Sequence, residues 1–289
     1  MTLKRKIWRK LRTILPEIGE AFTAPSVKQA LIDQEIRAVK NDISANTPNN
    51  PALQGFKVYS QVDEDGIVEY LFARIGEGER TFVELGCGNG SENNTHYLAL
   101  KGWKGVWVDG SEENINHIHQ FIPANNNQLL VQRMFITRDN IAAAMRQWQA
   151  RLGGKLDLLS LDIDGNDSIV LGEILTVCEP RVLVLEYNGK YPPPLKLSVT
   201  YDPSHTWQRD DYFGSSLQVF ADQLAGRYQL VSCGVAGANA YFVRMDCAEV
   251  FTAYTTSSLF MMARPHLIHR NNASRSTLKF LGNVVKPPL

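Results

Sequence analysis

The segment Phe82–Gly90 places the tightest limits on what this chain can fold into. Its first half is a short apolar run interrupted by one acid, Glu84, and its second half has glycines at 86, 88 and 90. An apolar run that short, bounded by glycine, reads as a buried strand. Glycines at alternate positions let the backbone turn sharply and approach a ligand with no Cβ in the way. Asn93–Lys101 then has helical patterning, so the unit is strand, glycine loop, helix.

The same rhythm continues. Strands are expected at Gly105–Val108 (ending at Asp109), Leu129–Thr137, Leu156–Asp162 and Arg181–Glu186, with helices over Asp65–Ile75, Ile141–Leu152 and Ser168–Val177. Each strand is a short apolar run with polar or glycine residues at its C-terminal end, as in parallel strands covered on both faces by crossover helices. A long loop rich in proline and aromatic residues, Tyr191–Tyr212, precedes a helix at Ser215–Ala225. Two further strands, Tyr228–Cys233 and Asn239–Arg244, read as a terminal antiparallel hairpin. The expected class is therefore an open, twisted, Rossmann-like α/β sheet with its ligand site at the strands' carboxyl ends.

This core is expected over residues 57–247, between an N-terminal helical extension, 1–56, and a C-terminal tail, 248–289, that carries little signal. Within the extension, Leu3, Ile7, Leu11, Ile14 and Leu15 share one face of a basic amphipathic helix over residues 3–15. That helix packs on its own domain or lies on an anionic membrane surface, with a disordered segment as the third reading. Thirty basic residues balance thirty acidic ones, so no global field recruits nucleic acid. The four cysteines have no paired or metal-ligand spacing, and no apolar run reaches the length of a membrane span. A cytoplasmic protein is expected, peripheral at the inner membrane face if the basic helix docks there.

The glycine loop discriminates among ligands. A dinucleotide loop wants a third glycine one residue later, and Glu84 would repel a pyrophosphate. A carboxylate there instead suits an ammonium group or a cation, and S-adenosylmethionine (SAM) carries an ammonium and a sulfonium and no phosphate. Asp109 ends the next parallel strand, 25 residues after Glu84, where an acid takes the hydroxyls of a ribose.

Acid-x-Gly-x-Gly-x-Gly followed by a strand ending in an acid resembles the class I SAM-dependent methyltransferases. Leu156–Asp167 resembles the D-x-E-G-x-E stretch of the FkbM-like branch, with Asp164 for its Glu and Asn166-Asp167 for its last two residues. Ser60–Asp65 resembles the S-Q-x-x-E-D stretch that precedes the core in that branch. The resemblance spans residues 57–245. It implies a seven-stranded sheet with SAM across the strand ends and O-methylation of small-molecule or glycan-like hydroxyls. Glu84, Gly86, Gly88 and Gly90 would hold the methionine part and Asp109 the ribose. Asp139 would meet the adenine, and Ser60, Gln61 and Glu64 would cover the cofactor from outside. A polar cap on the Asp65 helix explains the last three equally well.

Transfer to a hydroxyl needs a general base or a metal. The fourth and fifth strands end in Asp162, Asp164, Glu186, Tyr187 and Asn188, and adjacent parallel strands bring these tips together. Asp162, Glu186 and Asn188 are hard oxygen ligands suited to Mg²⁺. The competing readings are that Asp164 and Asp167 cap the helix at Ser168, or that Asp162 or Asp164 is a base without metal. In the long loop, His205 is a candidate base and Trp207 a stacking wall for a sugar or ring, with surface packing as the competing reading. The acceptor side stays open: nitrogen on a small molecule or protein, or a non-catalytic SAM-fold binding protein, are the alternatives.

Overall fold

The computed structural model describes residues 25–124, 126–268 and 276–285. The basic helix expected over residues 3–15, with its membrane-surface reading, lies outside the described residues. No described helix is long and apolar enough to cross a membrane.

Seven strands form one sheet: β1 Thr81–Leu85, β2 Lys104–Asp109, β3 Leu129–Arg133, β4 Leu158–Leu161, β5 Val182–Glu186, β6 Tyr228–Cys233 and β7 Asn239–Arg244. Their order is β3-β2-β1-β4-β5-β7-β6. The first five are parallel, and β7 runs antiparallel between β5 and β6. This is the Rossmann-like, mostly parallel sheet with a terminal antiparallel hairpin that the sequence predicts. Helices α1 Pro25–Asn46, α2 Glu64–Ile75, α3 His96–Leu100, α4 Glu112–His119, α5 Arg138–Arg151, α6 Asp167–Ile174 and α7 Leu217–Gln223 surround it. Three short ones follow: α8 Thr256–Leu259, α9 Pro265–Ile268 and α10 Lys279–Val284.

Side chains alternate across a strand, so each strand feeds two cores. Phe82 and Trp107 face one side with Ile67, Leu71 and Phe72 of α2. Val83, Leu85, Val106 and Val108 face the other with Ile141, Met145 and Trp148 of α5 and Val170, Leu171 and Ile174 of α6. Parallel neighbours need such helical crossovers, and burial on both faces explains why these strands read as apolar runs.

Two local departures bear on the site. β3 ends at Arg133 and not at Thr137, because it is an edge strand paired only with β2. The chain peels away after Met134, whose N–H still reaches Asp109 O at 3.0 Å. Helix α4, absent from the sequence reading, is started by Ser111, whose hydroxyl accepts from Asn114 N, and it buries Ile115 and Ile118.

The segment after β7 supplies Leu259, Leu267, Leu278 and Leu281, all fully buried. Gly282 lies so close to Phe121 that an added Cβ would sit 2.7 Å from its carbonyl oxygen. We expect Leu281→Ala to lower the unfolding free energy by about 2–5 kcal/mol, the range for deleting a buried leucine side chain. Urea denaturation checks this; a loss under about 0.5 kcal/mol would mean the segment does not share the core.

Candidate active site

The strand order reverses between β1 and β4, and at such a switch point the loops leaving the two strands part and open a crevice. A cavity of about 1220 Å³ lies there, lined from Gly86 and Gly88 after β1 to Asp109 at the end of β2 and Asp162 after β4. A recess of about 220 Å³ adjoins it and shares Gln61, Gly86, Gly88 and Asp162.

Gly86 has φ +84°, and an added Cβ would stand 1.6 Å from Asp162 O, so glycine is what lets the tips of β1 and β4 touch. Gly88, at φ +55°, has nothing within 4 Å of its Cβ position and donates its N–H to Asp109 Oδ2 at 2.9 Å. Gly90 O accepts from His96 Nδ1 at 2.8 Å. His96 is buried, stacked on Tyr59 at 3.7 Å, and its desolvation lowers its pKa to about 4. The ring is therefore neutral, with its proton on Nδ1 because a carbonyl can only accept.

Glu84 lies beneath this loop. Its carboxylate accepts from Asn93 Nδ2 (2.9 Å), Asn94 N (2.8 Å), Thr95 N (3.2 Å) and Thr95 Oγ1. Burial pushes its pKa up to about 7, while those hydrogen bonds pull it down. Four donors use roughly all of a carboxylate's acceptor positions. Glu84 is thus an internal strut, while the sequence reading gave it to a ligand's ammonium group. Asp109 differs: Oδ1 accepts from Ser111 N (2.8 Å) and Asn114 Nδ2 (3.1 Å), and Oδ2, holding Gly88 N, keeps a lone pair toward the cavity it lines.

At the tips of β4 and β5, carboxylate oxygens of Asp162, Asp164 and Glu186 all lie within 4.8 Å of one another. Desolvation first, and mutual repulsion second, raises Asp162 to about 8 and Glu186 well above the usual carboxylate range. Crowded together in a desolvated place, the two carboxyls hold their protons to higher pH than ordinary carboxyl groups do. Asp164 has φ +56° and is also raised by burial, with His205 opposing the shift. Asn188, grouped with the acids from sequence, is engaged elsewhere: Nδ2 donates to Asp211 O and Phe213 O, and Oδ1 accepts from Lys190 N. Asp164 completes the trio in its place. Asp167 accepts from Ile163 N and Gly165 N and shapes the turn into α6.

The remaining sequence candidates divide. Gln61 lines both cavities. Ser60 and Glu64 are buried turn-formers: Ser60 Oγ exchanges hydrogen bonds with Asp65, and Glu64 accepts from Val62 N and Asp63 N. Asp139 sits in the first turn of α5, 79% exposed and paired with Arg138, and does not line the cavity. Met134, Phe135 and Ile136 line that side, because the chain left the sheet early. His205 packs on Gly165, where a Cβ would come within 2.3 Å of its ring, and its Nε2 has no partner among the described residues. Asn166 and Asp202 exchange two hydrogen bonds that fasten the His205 loop across the tip of β4. Trp207 lines the cavity and stands edge-on to Phe213. Arg264, Pro265 and Ile268, unread in sequence, close the far wall; no local pattern signals them, since their place follows from Tyr187 Oη donating to Met261 O.

The sequence matches no protein-family model and no curated protein. Among solved structures it is similar to WbdD, at 16% identity over 62% of this chain and 39% of that one, TM-score 0.35. It is also similar to CalS10, an amino pentose methyltransferase from Micromonospora echinaspora solved with SAM, at 11% identity, 63% and 90% coverage, TM-score 0.40. The O-methyltransferase from Bacillus cereus in complex with SAH gives 16% identity, 75% and 95% coverage, TM-score 0.41. The chain spans about two fifths of the WbdD chains it matches.

A raised carboxyl pKa has a definite effect on stability. The native state keeps a proton on the Asp162–Glu186 pair that the unfolded chain releases near the ordinary value of 3.8. The stability so conferred is complete below that value and is lost as pH rises toward about 8. Between pH 5 and 8, wild-type unfolding free energy should carry a downward slope from this pair of at most about 1.4 kcal/mol per pH unit. Asp162→Asn should flatten it in parallel urea titrations; parallel profiles for the two proteins would contradict a raised pKa at this pair.

Proposed function

We propose that this chain is a SAM-dependent methyltransferase, and that it O-methylates a hydroxyl of a sugar, glycan precursor or other small molecule. The observation that carries this is the left-handed glycine loop meeting Asp109 at the switch point. Backbone and a strand-end acid line the cavity there, as an adenosyl ligand with no phosphate requires. The free lone pair on Asp109 Oδ2 suits a ribose hydroxyl, and Phe135 and Met134 offer an apolar wall for a base. At about 1220 Å³ the cavity exceeds the usual 300–1,000 Å³ of a single small-ligand site, leaving room for an acceptor.

Bound SAM would supply an electrophilic methyl group. The chain's own contribution is position and proton handling. The Asn166–Asp202 clasp fastens the His205 loop at the tip of β4, where it would help to orient an acceptor beside the acids. His205 Nε2, unpartnered among the described residues, is the group proposed to take the hydroxyl proton. Asp164 beside it stabilises the imidazolium that results. A second reading has an observation of its own. The Asp162, Asp164 and Glu186 oxygens form a set that Mg²⁺ would take, and the ion would hold all three ionised and acidify a coordinated hydroxyl. The FkbM-like branch fits the Ser60–Asp65 and Leu156–Asp167 motifs and belongs to this same proposal.

Calorimetry with SAM should give micromolar binding. Gly88→Val, which puts a branched side chain into the ligand space, and Asp109→Ala should each weaken it about 10–100-fold. Unchanged affinity in both would remove the cofactor assignment. Methyl-labelled SAM offered to small-molecule and glycan fractions should label an acceptor through oxygen, with His205→Ala lowering the rate about 10²-fold or more. Label on nitrogen would replace the acceptor class. Loss of activity on chelation, matched by Asp164→Asn, would favour Mg²⁺ over His205 as the activating group.

A further inference from the structure

The loop that crosses the tip of β4 brings three side chains to the cavity at alternate positions, His205, Trp207 and Arg209. Neighbours in this set are two residues apart, so their Cα atoms stand at most about 7 Å from one another. Trp207 is 45% exposed yet held in place: Nε1 donates to Asp210 O at 2.8 Å, and Phe213 braces the ring edge-on at 5.9 Å. A flat ring fixed in this way offers apolar contact area at little cost in side-chain entropy. Arg209 has φ +64°, a conformation uncommon outside glycine that persists where the surroundings impose it. The other lysine and arginine side chains lining the cavity are engaged. Lys190 pairs with Asp211, and Arg264 Nη1 donates to Met262 O (3.1 Å) and Val235 O (3.3 Å), with Glu35 at 3.7 Å. The acids next to Arg209 are also taken: Asp210 Oδ1 accepts from Tyr212 N at 3.1 Å, and Asp211 holds Lys190 and Tyr191. The Arg209 guanidinium makes no ion pair or hydrogen bond with any described residue.

We propose that this loop selects the acceptor, and that the acceptor is a sugar bearing a carboxylate, a uronic acid. The inference rests on the O-methylation reading above and narrows its substrate class. The sugar's C–H face, weakly positive, lies on the negative face of the Trp207 ring. Its carboxylate takes Arg209, whose planar fork matches a carboxylate with two parallel hydrogen bonds. A ring hydroxyl is then left to reach His205, two residues the other side of Trp207. Charge fixes the direction of entry, because a carboxylate brought first to Asp162, Asp164 and Glu186 would meet three acids. A single partnerless guanidinium answers a single negative charge. A phosphate dianion would bring a second charge toward Asp210 and Asp211, with no further partnerless lysine or arginine among the described residues lining the cavity.

Methyl-labelled SAM offered to the full chain with matched sugars tests this: glucose with glucuronic acid, galactose with galacturonic acid, and glucose 6-phosphate. In at least one pair the uronic acid should be methylated with about 10-fold or greater kcat/KM than its neutral partner. Arg209→Gly removes the guanidinium while suiting the left-handed backbone, and should bring that ratio below about 3-fold. Arg209→Asn, also tolerant of that backbone, should do the same and covers a glycine variant that fails to fold. Trp207→Ala should lower kcat/KM for both members of the pair about 10-fold. A ratio that survives in either folded Arg209 variant, or full activity in Trp207→Ala, overturns the inference. So does glucose 6-phosphate as the best acceptor, or a base-labile label that marks a methyl ester in place of an ether. SAM bound in calorimetry with no sugar of the panel methylated overturns this inference and leaves the cofactor reading standing. Wild type that binds no SAM refutes that reading, and the acceptor inference with it.

Discussion

The buried carboxylate of Glu84 is the constraint on which the rest of the site depends. Among the described residues it has no cation against it, and four hydrogen bonds from Asn93, Asn94 and Thr95 offset its charge. The loop after β1 must therefore fold back over its own strand. The same network reaches outward: Trp107 Nε1 donates to Thr95 Oγ1 at 2.7 Å, and Asn94 Nδ2 donates to Ser160 Oγ at 3.0 Å. One acid thus couples β1, β2 and β4 at the end where their tips form a crevice. Removing one member of such a buried network leaves the others unpaired, which costs more than the single bond lost.

The cavity has an electrical division. Around the glycine loop, polar groups meet one another and the backbone. At the tips of β4 and β5, three acids crowd together with His205 as the counterweight that affects Asp164. Acids that repel in a desolvated place sit above their usual pKa, a condition that clusters at sites of proton transfer and cation binding. The positive φ of Asp164 belongs to the same picture, since a strained non-glycine residue persists only where its surroundings fix it.

Much of the sheet was legible because strands buried on both faces announce themselves as apolar runs with polar ends. β6 and β7 fall on the expected residues, and β2, β4 and β5 differ by one or two residues at one or both ends. The failures have physical causes. Met134–Ile136 is as apolar as a strand but serves as cavity wall, because an edge strand has no second neighbour to keep it in register. Asp139 follows the third strand in sequence, yet helix α5 turns it to solvent. Ser60 and Glu64 share a motif with Gln61, and only the turn geometry tells which one faces the cavity. Glu84 was recognisable as unusual, but its partners are loop side chains whose contacts no periodicity encodes.

Asn126 Nδ2 donates to Val285 O, a contact spanning 159 residues, and Leu278 lies 3.3 Å from where a side chain on Gly90 would begin. The glycine loop is thus shored up by residues synthesised long after it. At translation rates of about 5–20 residues per second, roughly 8–30 s separate the two ends of that contact. Through that interval the nascent sheet carries its glycine loop without the α10 buttress, and Trp107 and Ile118 lack the cover that Leu278 later gives. The cover that Leu278 and Leu281 give the glycine-loop end of the sheet is thus built from chain made long after β1 and β2.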